Sequence, residues 1–144
     1  MLSVKNIESY YGPIAAIKGL TMEIRSGKIT VVLGANGAGK TTVLKTISGA
    51  IEPQKGELHF NQVNITRKDP AETAKLGIAH VPEGREVFPF LNVQENLLLG
   101  AYSRSDQLIK EDLELVYRYF PILKEKSRQQ AMLLSGGQQQ MLAI

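Results

Sequence analysis

The sequence predicts an α/β fold: a parallel sheet with helices, joined by a small antiparallel β subdomain and an α-helical subdomain. Three observations predict it. The apolar run Ile29-Thr30-Val31-Val32-Leu33 leads directly into Gly34-Ala35-Asn36-Gly37-Ala38-Gly39-Lys40-Thr41, and then into a segment with Val43, Leu44 and Ile47 on one helical face. Strand, glycine-rich loop and helix in that order are the opening unit of a phosphate-binding α/β core. Leu20-Thr21-Met22-Glu23-Ile24 alternates apolar and polar, the pattern of a half-exposed antiparallel strand, whereas the run at 29–33 reads as buried on both faces. From Pro82 onward the apolar spacing becomes helical.

Taken in order, Leu2, Val4 and Ile7 mark a first short strand, and Ser26-Gly27 turns the chain into the core strand at 29–33. After the loop helix, Gly49 is placed to cap its end, and Glu52-Pro53-Gln54-Lys55-Gly56 turns into the strand Glu57-Leu58-His59-Phe60. Asp69-Pro70 is a helix start, with Asp as cap and Pro at the first helical position, and Gly77 is a stop. Ile78-Ala79-His80-Val81 reads as another core strand, ending at Pro82. His80 reads as a packed or edge histidine, and with His59 as the only other histidine no metal site is expected from the pair. Asn92 and Glu95 form a capping-box pattern ahead of Leu97-Leu98-Leu99. Ile109, Leu113, Val116 and Phe120 share one helical face opposite Lys110, Glu111, Asp112 and Arg118, and that stripe reads as core. The expected division is 1–82, the front of the core with its antiparallel strands; 83–134, the helical subdomain; and 135–144, the start of a further helix.

Composition narrows the class. With 144 residues, 43% hydrophobic and 22% charged, the chain is of single-domain, globular type. No apolar run approaches the ~18 to 20 residues of a membrane span and the N-terminus has no signal-peptide core, so a membrane role is expected to go through a partner. Cysteine is absent, which excludes disulfide and thiolate chemistry. The net charge of +3 comes from 17 Lys and Arg scattered among 14 Asp and Glu, with no basic run, so nucleic acid is not an expected partner.

The loop at 34–42 carries the chemistry. Glycines at 34, 37 and 39 let the backbone wrap a phosphate with its N–H groups pointing inward, and the helix beginning near Lys40 adds the positive end of its dipole. Lys40 can reach the β and γ phosphates, Thr41 offers a hydroxyl oxygen to Mg²⁺, and Thr42 adds a donor for a phosphate oxygen. The expected ligand is a nucleoside triphosphate with its magnesium ion.

A second feature lies at Leu134-Ser135-Gly136-Gly137-Gln138-Gln139-Gln140. Ser135 is placed as an N-cap with Gln138 at the capping-box position, which on its own explains both residues. Two glycines in a first helical turn nevertheless cost roughly 1 kcal/mol each against alanine. A sequence that accepts that cost is suited to close approach of an anion to exposed N–H groups.

With this pair of motifs, and a helical segment between them, the chain closely resembles the ATP-binding subunits of ABC transporters over its whole length. The resemblance implies a P-loop NTPase core and a head-to-tail dimer with a second, homologous or identical, ATPase subunit. ATP and Mg²⁺ lie between the loop of one subunit and the signature of the other. It implies that Tyr11, ahead of Gly12-Pro13, stacks on adenine, and that Gly34, Ala35, Asn36, Gly37, Ala38, Gly39, Lys40, Thr41 and Thr42 hold the phosphates. Ser135, Gly136, Gly137 and Gln138 would contact ATP held by the other subunit, and Thr41 and Glu83 would face the metal. Glu83 departs from the family, which usually has glutamine there; a carboxylate beside triphosphate must either ligate the metal or turn away.

Val81-Pro82-Glu83-Gly84-Arg85, Val87-Phe88-Pro89 and Gln94-Glu95-Asn96-Leu97 resemble the LivF-type subunit of branched-chain amino acid importers. That implies transmembrane permease subunits and, indirectly, an external solute-binding protein as partners, with the chain peripheral on the cytoplasmic face of the inner membrane. Urea-importer ATPases, soluble ABC ATPases acting on nucleic acid or ribosomes, and a non-catalytic nucleotide-binding fragment are the alternatives. The family's Asp-Glu strand end and its histidine near the γ-phosphate would lie beyond residue 144. The resemblance therefore implies a missing C-terminal part, no catalytic base within the chain, and little ATP hydrolysis by these residues alone.

Overall fold

A computed structural model describes residues 1–102 and 108–144. The chain forms two compact units, Met1–His80 and Val81–Ile144.

The first unit is built on a four-stranded antiparallel sheet of order β2-β1-β3-β4, from β1 (Leu2–Tyr11), β2 (Ile14–Ile24), β3 (Lys55–Phe60) and β4 (Val63–Asn64). Inward positions of β1 are Leu2, Val4, Ile7 and Ser9. The step from Val4 to Ile7 is odd, so strict alternation would turn Ile7 to the other face. A bulge absorbs the difference: the register shifts there against both β2 and β3, and Asn6 takes φ 48°. β3 passes so close to this bulge that a Cβ on Gly56 would run into the carbonyl oxygens of Lys5 and Asn6. In β2, Met22 and Ile24 are half-buried while Thr21 and Glu23 are exposed, as the alternation at 20–24 predicts.

Helix α1 (Lys40–Ile47) buries Thr42, Val43 and Thr46. Val43 joins a cluster of Leu2, Val4, Ile7, Ile17, Leu58 and Ile65. Two hydroxyls anchor the helix to β1: Thr46 Oγ1 donates to the Thr42 carbonyl at 2.8 Å and lies 3.0 Å from Ser9 Oγ, which is fully buried. Their pairing meets the requirement that buried polar groups be hydrogen-bonded. Helix α2 (Pro70–Lys75) starts as expected, with Asp69 accepting from Glu72 N at 2.8 Å and Glu72 returning a bond to Asp69 N at 3.1 Å. Thr73 ties α2 to the end of α1 by donating to the Ser48 carbonyl at 2.8 Å. His80 Nδ1 lies 3.1 Å from Ser48 Oγ, a packed histidine.

The expected parallel core strands are not realised. Neither 29–33 nor 78–81 forms a ladder, and the sheet pairing among the described residues is all antiparallel. Ile29, Val31 and Leu33 are 96%, 69% and 87% exposed. A strand apolar on both faces is buried only when flanking strands and layers cover it, and no described segment pairs with this one.

The second unit is helical, with α3 (Val93–Gly100), α4 (Ile109–Tyr119), α5 (Pro121–Glu125), a 3₁₀ turn (Ala131–Leu133) and α6 (Gly136–Ala143). Val93, Tyr117, Leu123, Ala131, Leu134 and Leu142 form its core, with Leu113, Val116 and Phe120 of the predicted stripe packed against it. The Asn92–Glu95 capping box is present, both bonds at 2.8 Å. Asn96 secures the segment before α3, accepting from Phe88 N at 2.8 Å and donating to the Phe88 and Asn92 carbonyls at 3.0 and 2.9 Å. Among the described residues no helix is long and apolar enough to cross a membrane.

Candidate functional site

Sequence-predicted site residues lie in both units. The glycine-rich loop and Tyr11 belong to the first, Glu83 and the 135–138 segment to the second. Gly39 is the N-cap of α1 and has φ 90°, and a Cβ there would lie 2.6 Å from the Ala16 carbonyl oxygen of β2. Gly37 also takes a positive φ, 82°, Ala38 N donates to Ala35 O at 3.2 Å, and a Cβ on Gly34 would lie 3.1 Å from the Ala38 Cβ. No side chain caps α1, and its first ladder bond runs from Val43 N to Gly39 O at 2.9 Å. The N–H groups of Lys40, Thr41 and Thr42 therefore stand outside the ladder at the positive end of the helix. Lys40 Nζ curls back over the loop and donates to the Gly34 and Ala35 carbonyls at 2.9 and 2.8 Å. Thr41 is exposed, while Thr42 is buried at 6% exposure. A glycine-rich turn with N–H groups outside the ladder at a helix start and an ammonium folded over it fits a polyphosphate, and the exposed Thr41 hydroxyl fits one ligand of a magnesium ion.

The two adjacent tyrosines separate cleanly. Tyr10 donates its hydroxyl to Glu8 Oε2 at 2.9 Å, and Glu8 pairs with Lys55 at 3.2 Å. The Tyr10 bond and then Lys55 hold the Glu8 carboxyl below the usual range, and the same carboxylate pushes the Tyr10 phenol up. Tyr11 closes β1 with its side chain 49% exposed, followed by Gly12 at φ 56°. An exposed ring at a strand end is available for stacking, whereas the Tyr10 hydroxyl is tied to Glu8.

In the second unit Ser135 caps α6. Its Oγ accepts from Gln138 N at 3.4 Å, and Gln138 Oε1 accepts from Ser135 N at 3.1 Å and from Lys126 Nζ at 3.4 Å. Gln138 is thus engaged in the cap, whereas Gly137 is open, with no atom within 4 Å of the position a Cβ would take. Glu83 is exposed on a turn in which Arg85 and Glu86 take φ 66° and 50°. Among the described residues no group of three His, Cys, Asp or Glu is arranged to hold a metal. Sequence reasoning missed Arg85 and Gln139: the Arg85 guanidinium lies against Gly136 and donates to Gln139 Oε1 at 3.3 Å. No periodicity or cap pattern marks either residue; only the double glycine hints that something approaches closely.

A glycine cradle leading into an uncapped helix, and a serine-capped double-glycine helix start further along, define a nucleotide-binding protein of the P-loop class. The sequence profile described as "ABC transporter" matches residues 17–144, and the chain belongs to that family. It is 38% identical over its whole length to the high-affinity branched-chain amino acid transport ATP-binding protein BraG of Pseudomonas aeruginosa, and 35% identical to a probable branched-chain amino acid transport ATP-binding protein LivF of Archaeoglobus fulgidus. It spans 62% and 61% of the lengths of those two relatives. Among solved structures it is similar to the dimeric MJ0796, a bacterial ABC transporter cassette, with a TM-score of 0.85, 26% identity, and coverage of 100% of this chain and 67% of that one. A post-hydrolysis state of the same cassette bound to ADP and Pi gives a TM-score of 0.80 at 26% identity, covering 99% of this chain and 67% of that one.

Proposed function

We infer that the chain is the nucleotide-binding part of an energy-coupling ATPase subunit of an ABC importer for branched-chain amino acids. The observation that carries the reading is the loop at 34–42, where a glycine-rich turn, three N–H groups outside the helix ladder and the Lys40 ammonium come together. Its residues bind and orient ATP. The N–H groups of Lys40, Thr41 and Thr42 donate to phosphate oxygens, Lys40 exchanges its two carbonyl bonds for charge-assisted bonds to phosphate, and Tyr11 stacks on the base. Mg²⁺, when bound, neutralises charge on the phosphates. Thr41 is the residue of the loop that would hold it.

The solute class rests on the names of the two amino acid transport relatives. The partner arrangement draws support from the dimeric cassette: a second ATPase subunit faces this one head to tail, with Ser135, Gly136, Gly137 and Gln138 directed at ATP on the other subunit. ATP then drives closure through contacts made only in the sandwich, a population shift. Permease subunits hold the assembly at the cytoplasmic face of the membrane, with a solute-binding protein outside. Equilibrium binding of a fluorescent ATP analogue with Mg²⁺ tests the reading. Saturable binding weakened at least about tenfold by Lys40→Ala is expected, the loss of one charge-assisted contact. Equal binding by the two proteins would refute it.

A further inference from the structure

Arg85 breaks two local rules at once. It holds a left-handed backbone, φ 66°, next to Glu86 at φ 50°, and it places a cation at the N-terminal, positive end of α6. No carboxylate pairs with it among the described residues. What it has instead is contact with the signature turn. Its Nη2, Nη1 and Cζ lie 3.1, 3.2 and 3.3 Å from the position a Cβ on Gly136 would occupy, so the guanidinium lies broadside to that residue. Nη1 donates to Gln139 Oε1 at 3.3 Å, while Gln139 Nε2 donates to the Ala131 carbonyl at 3.0 Å, which fixes the amide so that its oxygen faces Arg85. Ala131 N in turn donates to the Leu91 carbonyl at 2.9 Å, closing a loop of contacts back to the segment that carries Arg85.

We propose that Arg85 is a positioning residue: it clamps the first turn of α6 through Gly136 and Gln139, and so sets the direction in which the Ser135–Gly137 backbone meets the nucleotide of the second subunit. This rests on the head-to-tail reading above. A methyl group at position 136 would press on the guanidinium and shift it by a few tenths of an ångström. Lysine cannot replace the arginine, because a point charge lacks the flat fork that lies on Gly136 while bonding Gln139.

The test uses the full-length subunit with a non-hydrolysable ATP analogue and Mg²⁺. In Arg85→Ala, the melting temperature and the affinity of the isolated subunit for nucleotide stay at wild-type values, while nucleotide-driven dimerisation and kcat each fall about tenfold, the loss of a positioning contact. Arg85→Lys recovers little, and adding Gln139→Ala to Arg85→Ala costs nothing further, because the two residues act as one unit. Unchanged dimerisation in Arg85→Ala, full recovery by lysine, or a loss that tracks a lowered melting temperature would each overturn the proposal. A wild-type subunit that binds nucleotide yet never dimerises would instead remove the head-to-tail reading beneath it.

Discussion

Gly39 meets two demands that no other residue type satisfies together. Its φ of 90° excludes side chains with a Cβ at low cost, and the Ala16 carbonyl occupies the space a Cβ would take. Gly39→Ala is therefore expected to destabilise the first unit by more than about 1 kcal/mol, visible as a lower urea midpoint. A midpoint equal to wild type would show that the loop is not held in this conformation. The loop glycines were legible in the sequence because their role is local: the spacing of 34, 37 and 39 around Lys40 is the constraint itself. Arg85 was not legible, because its contacts with Gly136 and Gln139 join positions 51 and 54 residues away and no short-range pattern encodes them.

At the scale of elements, caps and turns followed the sequence, as did the buried faces of β2 and α4, while the strand expected at 29–33 did not. Asp69, Asn92 and Ser135 each cap the helix they were expected to cap, since a cap depends on residues within three positions of one another. Asp69→Ala should lower the stability of the first unit by about 1 kcal/mol, with the loss read as a shifted denaturation midpoint. No shift would mean that α2 is held by Thr73 and Ser48 alone. The strand at 29–33 shows the opposite behaviour. Its apolar residues announce a buried strand, yet burial depends on neighbouring strands, and Ile29 and Leu33 stay exposed without them. The Asn6 bulge lies between these cases. Leu2, Val4 and Ile7 carry its trace in their broken alternation, but the positive φ that resolves it becomes visible only in the pairing with β2 and β3.

At the scale of the whole molecule, the described residues form two hydrophobic clusters, one in each unit. Each cluster has few fully buried side chains, and the exposed Ile29, Val31 and Leu33 add nothing to either. A broad, non-cooperative thermal transition is expected for the chain, with probes in the two units melting at different temperatures. A single sharp transition with coincident probes would show that the units unfold as one. The same division explains the limits of sequence reading for function. The phosphate loop lies within the first unit and the signature within the second, and the head-to-tail pairing proposed for them rests on family resemblance rather than on either motif's local pattern.

The measurement that tests the central claim most directly is a backbone-amide NMR titration of the chain with Mg-ATP. Binding at the loop gives the largest shifts at Gly37, Gly39, Lys40, Thr41 and Thr42, with ring signals of Tyr11 moving and those of Tyr10 staying in place. Saturable shifts confined to residues elsewhere, with the loop amides unmoved, would contradict it.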